Sequence, residues 1–244
     1  MTGRILEPSR AGQTTPELLP FATVFVVDDD ASVRRSLARL FRSVNLNVEV
    51  FATATEFLAS GRHQQSPACL VLDVRMPGLT GMDLQERLVA LRSLVAVVFI
   101  TGHGDIRTSV QAMKGGAVDF LPKPFEDTQL LEAVARAIAK SARDQQQRAE
   151  LDSIQNRFDT LTPRESEVLA LIVTGKLNKQ VAGDLGTSEK TIKVHRARVL
   201  EKMQVRSLAE LVPLAEKLGV LGGPQPGSDG VFEQRSGRLR SLLA

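Results

Sequence analysis

The first 140 residues alternate between short runs of β-branched residues and longer stretches with the apolar spacing of helices, and this alternation restricts the fold more than any other feature. Strands that alternate with helices form a parallel sheet, because each crossover connection lays a helix on one of its faces. The pattern therefore predicts an α/β fold, a doubly wound five-stranded parallel sheet, over residues 21–140. The predicted strands are residues 23–27, 48–51, 69–72, 95–100 and 117–121. The predicted helix caps are Asp30, Thr53, Thr80, Asp105 and Asp127.

The stretch that follows this region has a helical pattern alone. Residues 141–160 lack glycine and proline, and Leu151, Ile154 and Phe158 recur at helical spacing. This predicts a helical linker that extends the fifth helix. A contact between subunits through the same apolar residues stays open as an alternative.

Residues 161–220 form a second predicted domain. The segment LTPRES begins a helix with a capping box from Thr162 to Glu165, and further amphipathic stretches follow it. Four short helices with the tight turn DLGTS predict a small all-α domain that contains a helix-turn-helix. The predicted helices are residues 163–173, 178–185, 188–203 and 207–218. The terminal segments 1–20 and 221–244 are predicted to be disordered tails.

Charge and cysteine content narrow the classes of function. The net charge is +3, and residues 188–206 hold six basic and two acidic side chains, as expected of a surface that binds a polyanion. The single cysteine, Cys69, excludes a disulfide framework and predicts a reducing, cytoplasmic location. No apolar run reaches the ~20 residues that span a bilayer, so no membrane association is expected.

Polar residues follow the predicted strands at the points where their carboxyl ends should meet. Ligands of open α/β sheets bind outside this edge. Like charges at adjacent positions repel, so a group of carboxylates here requires something positive nearby: a helix N-terminus, a lysine or a metal ion. The set comprises Asp28 and Asp29 after the first strand, Asp73 at the end of the third, Thr101 at the end of the fourth and Lys123 after the fifth.

Each member of this set has a role if the chemistry is phosphoryl transfer to a carboxylate. Mg²⁺ prefers hard oxygen ligands and takes one or two carboxylates, which leaves room for phosphate and water. Asp73 would act as the nucleophile, since carboxylates form acyl phosphates. Lys123 would pair with one phosphoryl oxygen and Thr101 would donate to another. Asp30 is interpreted as a helix cap.

Four segments in order, VVDDD, LVLDVRMPGLTG, FITGHGD and DFLPKPF, resemble the receiver domain of two-component response regulators of the FixJ type. The resemblance covers about residues 22–140 and implies a flavodoxin-like receiver fold. It implies that a sensor histidine kinase phosphorylates Asp73. It also implies that Mg²⁺ is bound by Asp29, Asp73 and the main-chain carbonyl of Arg75, with Asp28 nearby or acting through water.

The same resemblance places Thr101 and Phe120 at the switch positions of the family. Phe120 also fits a core aromatic, and the two roles are compatible because the family residue moves between exposed and buried states. Pro124 follows Lys123 as in the family, where that peptide bond is usually cis.

The segment TSEKTIKVHRARVLEKM predicts a helix with two different faces. Ile192, Val199 and Met203 form an apolar stripe for the core. The opposite face carries small or apolar residues flanked by basic ones, which suits the major groove because Lys and Arg reach guanine acceptors and phosphates. A solvated surface helix is the alternative, and His195 fits either a packing role or a DNA contact. The predicted DNA contacts are Lys190, Thr191, Lys193, Val194, His195 and Arg198.

Residues 161–220 resemble the LuxR/NarL-type helix-turn-helix through LTPRESEVL, NKQVAGDLGTSEKTIKVHRARVLEKM and RSLAELV. The resemblance implies that the segment near 188–201 is the recognition helix and that Asn178 to Leu185 form the supporting helix. Ala197 stands where some relatives carry a base-contacting polar or basic residue. The target DNA sequence therefore does not transfer from relatives.

These features predict a response regulator rather than an enzyme, in which a receiver controls a DNA-binding transcription regulator. In FixJ-like relatives the face of the fourth helix, fifth strand and fifth helix dimerises, which implies a homodimer when phosphorylated. The other predicted partners are a sensor histidine kinase and double-stranded promoter DNA, with RNA polymerase as a further candidate. Two alternatives stay open: a phosphorelay module whose C-terminal helices bind protein, and a free-standing phosphatase or transferase, for which the sequence shows no further catalytic set.

Overall fold

The structure, a computed structural model, describes residues 22–65, 67–102 and 106–220. The predicted tails and the predicted cap Asp105 lie outside the described residues. The chain divides into two compact units between Gln146 and Gln147. Within the described ranges, no helix is long and apolar enough to cross a membrane.

A five-stranded parallel sheet forms the first unit, which confirms the predicted fold. Its strands are β1 (Thr23–Val27), β2 (Asn47–Phe51), β3 (Ala68–Asp73), β4 (Ala96–Thr101) and β5 (Asp119–Pro122). The strand order is β2-β1-β3-β4-β5, and every neighbouring pair is parallel. All residues of β1, β3 and β4 are buried, because helices cover both faces of the sheet.

Side-chain caps begin three of the five helices described for this unit. The helices are α1 (Ala31–Ser43), α2 (Ala54–Ala59), α3 (Gly81–Ala90), α4 (Ile106–Lys114) and α5 (Asp127–Asp159). Asp30, Thr53 and Thr80 each accept a hydrogen bond from a first-turn amide, as predicted. The prediction for Asp127 is wrong by one position. Asp127 is already helical, and the amide of Glu126 before it donates to the Gln129 side chain.

Consecutive residues of β1 enter different apolar layers, as the alternation of side chains along a strand requires. Phe25 packs in one cluster with the rings of Phe51 and Phe57, which lie 6.2 and 5.5 Å from its own. Val24 and Val26 pack on the other face, against α1 and α5. The sheet is therefore the middle layer between two cores.

Helix α5 runs unbroken through the segment predicted as a helical linker, which confirms the helical prediction. Ser141, near its middle, is fully buried. Its hydroxyl accepts a hydrogen bond from the Ala68 amide (3.0 Å) and donates to the Leu94 carbonyl (2.7 Å). Because the buried hydroxyl both donates and accepts a hydrogen bond, its burial carries little free-energy cost. The bond to Ala68 links α5 to the start of β3.

The second unit is all-α, as predicted. It contains the last part of α5 together with α6 (Pro163–Ile172), α7 (Asn178–Asp184), α8 (Glu189–Lys202) and α9 (Leu208–Lys217). Ile154 is fully buried in its core and Phe158 packs against it. These two residues therefore pack within the chain, and the alternative of a contact between subunits stays a prediction.

An ion pair between the buried Glu165 and the half-buried Lys202 joins α6 and α8. The Glu165 carboxylate accepts hydrogen bonds from Lys202 Nζ (2.6 Å) and from the Thr162 amide (2.9 Å), which completes the predicted capping box. Lys202 also donates to the carbonyl of Thr160 at 3.0 Å. The bond from Lys202, assisted by the amide of Thr162, lowers the pKa of Glu165 to about 2.

We expect this ion pair to stabilise the second unit at neutral pH and to lose its effect in acid. A carboxyl whose pKa is lowered on folding stabilises the fold above its unfolded pKa of 4.5, and this gain disappears as the pH falls toward 2. Glu165→Gln should lower the free energy of unfolding by about 1–3 kcal/mol near neutrality and by less at each step into acid. Denaturant unfolding over a pH series measures this difference.

Glu210→Gln is the matched control. Glu210 also accepts a main-chain amide at the start of a helix, but the described residues give it no lysine partner. A destabilisation by Glu165→Gln that stays constant from neutral pH into acid contradicts the assignment.

Candidate functional site

The carboxyl ends of β1, β3 and β5 bring two aspartates and a lysine together, as the sequence predicts. Lys123 Nζ lies 2.7 Å from Asp28 Oδ2 and 2.9 Å from Asp73 Oδ1. Asp28 is 1% exposed and Asp73 is 7% exposed. One ammonium therefore compensates two nearly buried carboxylates that would otherwise repel each other.

Burial and charge shift the pKa values of this group in a consistent way. Burial raises the pKa of Asp73, Lys123 opposes that rise, and the charge of Asp28 adds to it. Burial alone would lower the pKa of Lys123, but the hydrogen bonds to the two aspartates outweigh it, so its pKa lies above the ordinary value. The lysine is thus held in its charged form by the carboxylates that it joins.

The main chain around Asp73 is fixed by close packing. Its second carboxylate oxygen, Oδ2, accepts a hydrogen bond from the Arg75 amide at 2.8 Å. Gly81, the first residue of α3, lies so close that an added Cβ would stand 2.2 Å from the Asp73 carbonyl oxygen. Only glycine fits there, and its amide donates to the Val74 carbonyl at 3.1 Å.

Of the two residues predicted as switches, Thr101 contacts the main chain of Lys123, and Phe120 on β5 lies three residues before Lys123. Thr101 ends β4 and is 1% exposed, and its carbonyl accepts a hydrogen bond from the Lys123 amide. Phe120 on β5 is half-buried, with its ring 6.2 Å from that of Phe99. The Lys123–Pro124 peptide bond is cis, as the resemblance implies.

The donor atoms at this edge suit Mg²⁺ in kind. Both oxygens of Asp28 are engaged, by Lys123 and by the Asp30 amide (2.9 Å), which fits a role beside the ion. Asp29 is exposed. In the described part of the chain no group of three or more His, Cys, Asp or Glu side chains could hold a metal ion unaided. An ion here would complete its coordination with main-chain oxygen and water, as Mg²⁺ commonly does.

Sequence reasoning missed one residue of this edge, Arg34 on α1. Its Nη1 atom donates to the main-chain oxygens of Asp28 (2.6 Å) and Asp29 (2.9 Å). The only signal was an arginine one turn after the Asp30 cap, within reach of the acidic loop.

In the second unit, α8 shows the two predicted faces. Ile192, Val199 and Met203 are fully buried. Val194 is 46% exposed on the other side, where small and basic residues are accessible. The exposed residues of this face are Lys190, Lys193, Val194, Ala197 and Arg198.

Two of the predicted DNA contacts are half-buried rather than exposed. The amide of Thr191 donates to the Ser188 hydroxyl (3.1 Å) and the two hydroxyls lie 2.8 Å apart, so this threonine helps to begin α8. The Nδ1 atom of His195 is buried and has no hydrogen-bond partner among the described residues. Both roles predicted for His195, packing and a DNA contact, therefore stay open.

Two further side-chain contacts of the helix-turn-helix were not predicted. Lys193 Nζ lies 3.6 Å from the Glu189 carboxylate, an exposed pair of small energetic value. Arg196 donates to the Asn178 side chain at 3.4 Å and so links α8 to the start of α7.

Two regions of the chain match known domain families. Residues 24–135 match the response regulator receiver domain, and residues 159–215 match the bacterial regulatory proteins of the luxR family. A receiver followed by a LuxR-type helix-turn-helix defines a two-component response regulator that regulates transcription.

Relatives match along most of their length. The chain is 48% identical over 220 residues to Nodulation protein W of Bradyrhizobium diazoefficiens, covering 90% of this chain and 96% of the relative. It is 42% identical over 214 residues to the transcriptional regulatory protein FixJ of Azorhizobium caulinodans, covering 88% and 98%. The solved structure of the response regulator StyR is 50% identical, with a TM-score of 0.72 over 80% of this chain and 98% of that one. The chain belongs to the FixJ/NarL family of response regulators.

Proposed function

We propose that this response regulator accepts a phosphoryl group on Asp73 from a sensor histidine kinase and that the modified protein binds promoter DNA through α8. The observation that carries the proposal is the Lys123 ammonium, shared between Asp73 and Asp28 at the carboxyl edge of the sheet. Such an edge is where open α/β sheets bind ligands, and a lysine there can hold a phosphoryl oxygen.

In the transfer, an oxygen of Asp73 forms a bond to phosphorus while the bond from phosphorus to the kinase histidine nitrogen breaks. Lys123 can then pair with a phosphoryl oxygen, and the Thr101 hydroxyl with another. Asp29, Asp73 and the Arg75 carbonyl would hold Mg²⁺, with Asp28 beside it. The bound ion supplies positive charge that offsets both the carboxylates and the phosphoryl group.

Phosphorylation should require both Asp73 and Mg²⁺. Asp73→Asn keeps the size of the side chain but removes the nucleophilic charge, so acetyl phosphate or a kinase should leave no label on the protein. Intact-mass spectrometry with Mg²⁺ and with a chelator measures the label. Asp144→Asn, which removes a half-buried carboxylate of α5 that pairs with Lys140, should be labelled like the wild type. Full labelling of Asp73→Asn would exclude Asp73 as the acceptor.

An apolar stripe on α4 supports dimerisation of the phosphorylated receiver. Ile106, Val110 and Met113 follow one another at helical spacing and are 84%, 47% and 47% exposed. Soluble monomers rarely expose apolar residues in such a row, whereas interfaces between subunits bury them.

We expect beryllofluoride, which imitates the phosphoryl group, to double the mass measured by light scattering at micromolar concentration. Val110→Lys should keep the protein monomeric, because a buried ammonium without a partner opposes association. Val89→Lys changes an exposed valine of α3 in the same way and should leave the dimer intact. A dimer that forms equally well with Val110→Lys places the interface elsewhere.

The exposed basic face of α8 supports readout of DNA. Lys193 and Arg198 flank Val194 on this face, and Lys190 lies near the helix N-terminus. We assign Lys193 to the base edges and Lys190, near the helix start, to phosphate.

Lys193→Ala should weaken binding to the cognate site by about 1–3 kcal/mol and relax the preference at one base pair. Lys190→Ala should weaken binding to all DNA sequences alike. It should also make the slope of log binding constant against log salt concentration shallower by about one unit. Binding over a salt series, on cognate and scrambled duplexes, separates the two effects, with Lys217→Ala on α9 as the charge control. If both variants bind DNA like the wild type, α8 is not the recognition helix. The alternative in which the C-terminal helices bind protein then gains support.

A further inference from the structure

Arg34 of α1 holds the loop between β1 and α1 through its main chain. A single guanidinium nitrogen, Nη1, donates to the consecutive carbonyl oxygens of Asp28 (2.6 Å) and Asp29 (2.9 Å). The Arg34 amide also donates to the Asp30 carbonyl at 3.1 Å, within the first turn of the helix. The half-buried arginine therefore connects three successive residues of the acidic loop to α1.

The side chains of this loop are fixed to different degrees. Asp28 is held by the Asp30 amide and by Lys123. The Asp30 side chain caps α1 by accepting from the amide (2.6 Å) and hydroxyl (2.7 Å) of Ser32. Among the described residues, no donor lies within hydrogen-bonding distance of the exposed Asp29 carboxylate. Its direction is therefore set by the main chain that Arg34 holds.

We propose that Arg34 is a positioning residue for the metal at this edge, fixing the main chain of Asp28 and Asp29 so that the Asp29 carboxylate is presented in one orientation. The inference rests on the proposed function, because it assigns Asp29 to Mg²⁺. The arginine contacts carbonyl oxygens rather than carboxylates, so it orders the loop without occupying the oxygens that a cation needs.

Electrostatic repulsion and loop positioning predict opposite changes in Mg²⁺ affinity when Arg34 is removed. A guanidinium close to a cation site repels the cation, so charge alone predicts tighter Mg²⁺ binding when the arginine is removed. Positioning predicts weaker binding, because the loop must then be ordered at the cost of binding energy. Partners that orient metal ligands change metal affinity by about 10- to 100-fold when they are removed. The sign of the change therefore separates the two effects.

The test is calorimetric titration of the full-length protein with Mg²⁺ at constant ionic strength. Arg34→Ala should weaken Mg²⁺ binding by about 10-fold or more. Arg35→Ala is the control, because Arg35 is an exposed neighbour on α1 with the same charge and, among the described residues, makes no hydrogen bond to the loop. This variant should bind Mg²⁺ as tightly as the wild type or slightly more tightly. Arg34→Lys keeps the charge but replaces the planar donor group by one ammonium, and should lie between Arg34→Ala and the wild type.

A second measurement needs no metal. Without Mg²⁺, amide hydrogen exchange at Asp30 should be faster in Arg34→Ala than in the wild type or Arg35→Ala, because a loosened loop breaks the bond from this amide to Asp28 more often. Should Arg34→Ala fail to fold, Arg34→Lys decides: weaker Mg²⁺ binding supports the inference and unchanged binding overturns it.

Two failures are distinguishable. If the wild type binds no Mg²⁺, the metal site of the proposed function is wrong. If the wild type binds Mg²⁺ and Arg34→Ala binds it equally well or more tightly, the proposed function stands and the positioning role of Arg34 is overturned.

Discussion

The ammonium of Lys123 is the charge on which the carboxyl edge of the sheet depends. It joins Asp28 on the β1 side to Asp73 at the end of β3, although β4 separates β5 from β3 in the sheet. Asp29 adds a third carboxylate, so one lysine leaves the group negative even with Arg34 nearby. A net negative charge at this edge favours the binding of a cation, which is what the proposed Mg²⁺ site requires.

The second unit uses an ion pair for a different purpose. Glu165 and Lys202 close the helix start at α6 against α8, while the apolar stripe of α8 is buried beneath. A helix whose apolar side is fixed in the core must present its other side to solvent. The exposed basic side chains of α8 are therefore presented on one face by packing in which they take no part.

Most residues of the site were predicted from their positions at strand ends, because the carboxyl ends of parallel strands must meet at one edge of the sheet. The sequence also predicted β1 without error, but it placed the start of β5 two residues early. Ala117 is apolar, yet its amide closes the end of α4 by donating to the Ala112 carbonyl. Arg34 was missed because its contacts are with the main chain. A side chain that donates to main-chain carbonyls leaves no residue pattern, since every residue in the loop offers the same acceptor.

Helix α4 combines one end that is held by a buried side chain with one exposed apolar face. Gln85 is 3% exposed and donates to the Ala112 carbonyl at 3.0 Å, which anchors the C-terminal end of α4 to α3. Gly115 packs directly on this glutamine, which stands 2.6 Å from where a Cβ would lie. The exposed Ile106 begins the opposite end of α4, so the apolar stripe starts at the end of the helix that Gln85 does not hold. The stripe proposed for dimerisation therefore lies on a helix whose C-terminal end is fixed to α3.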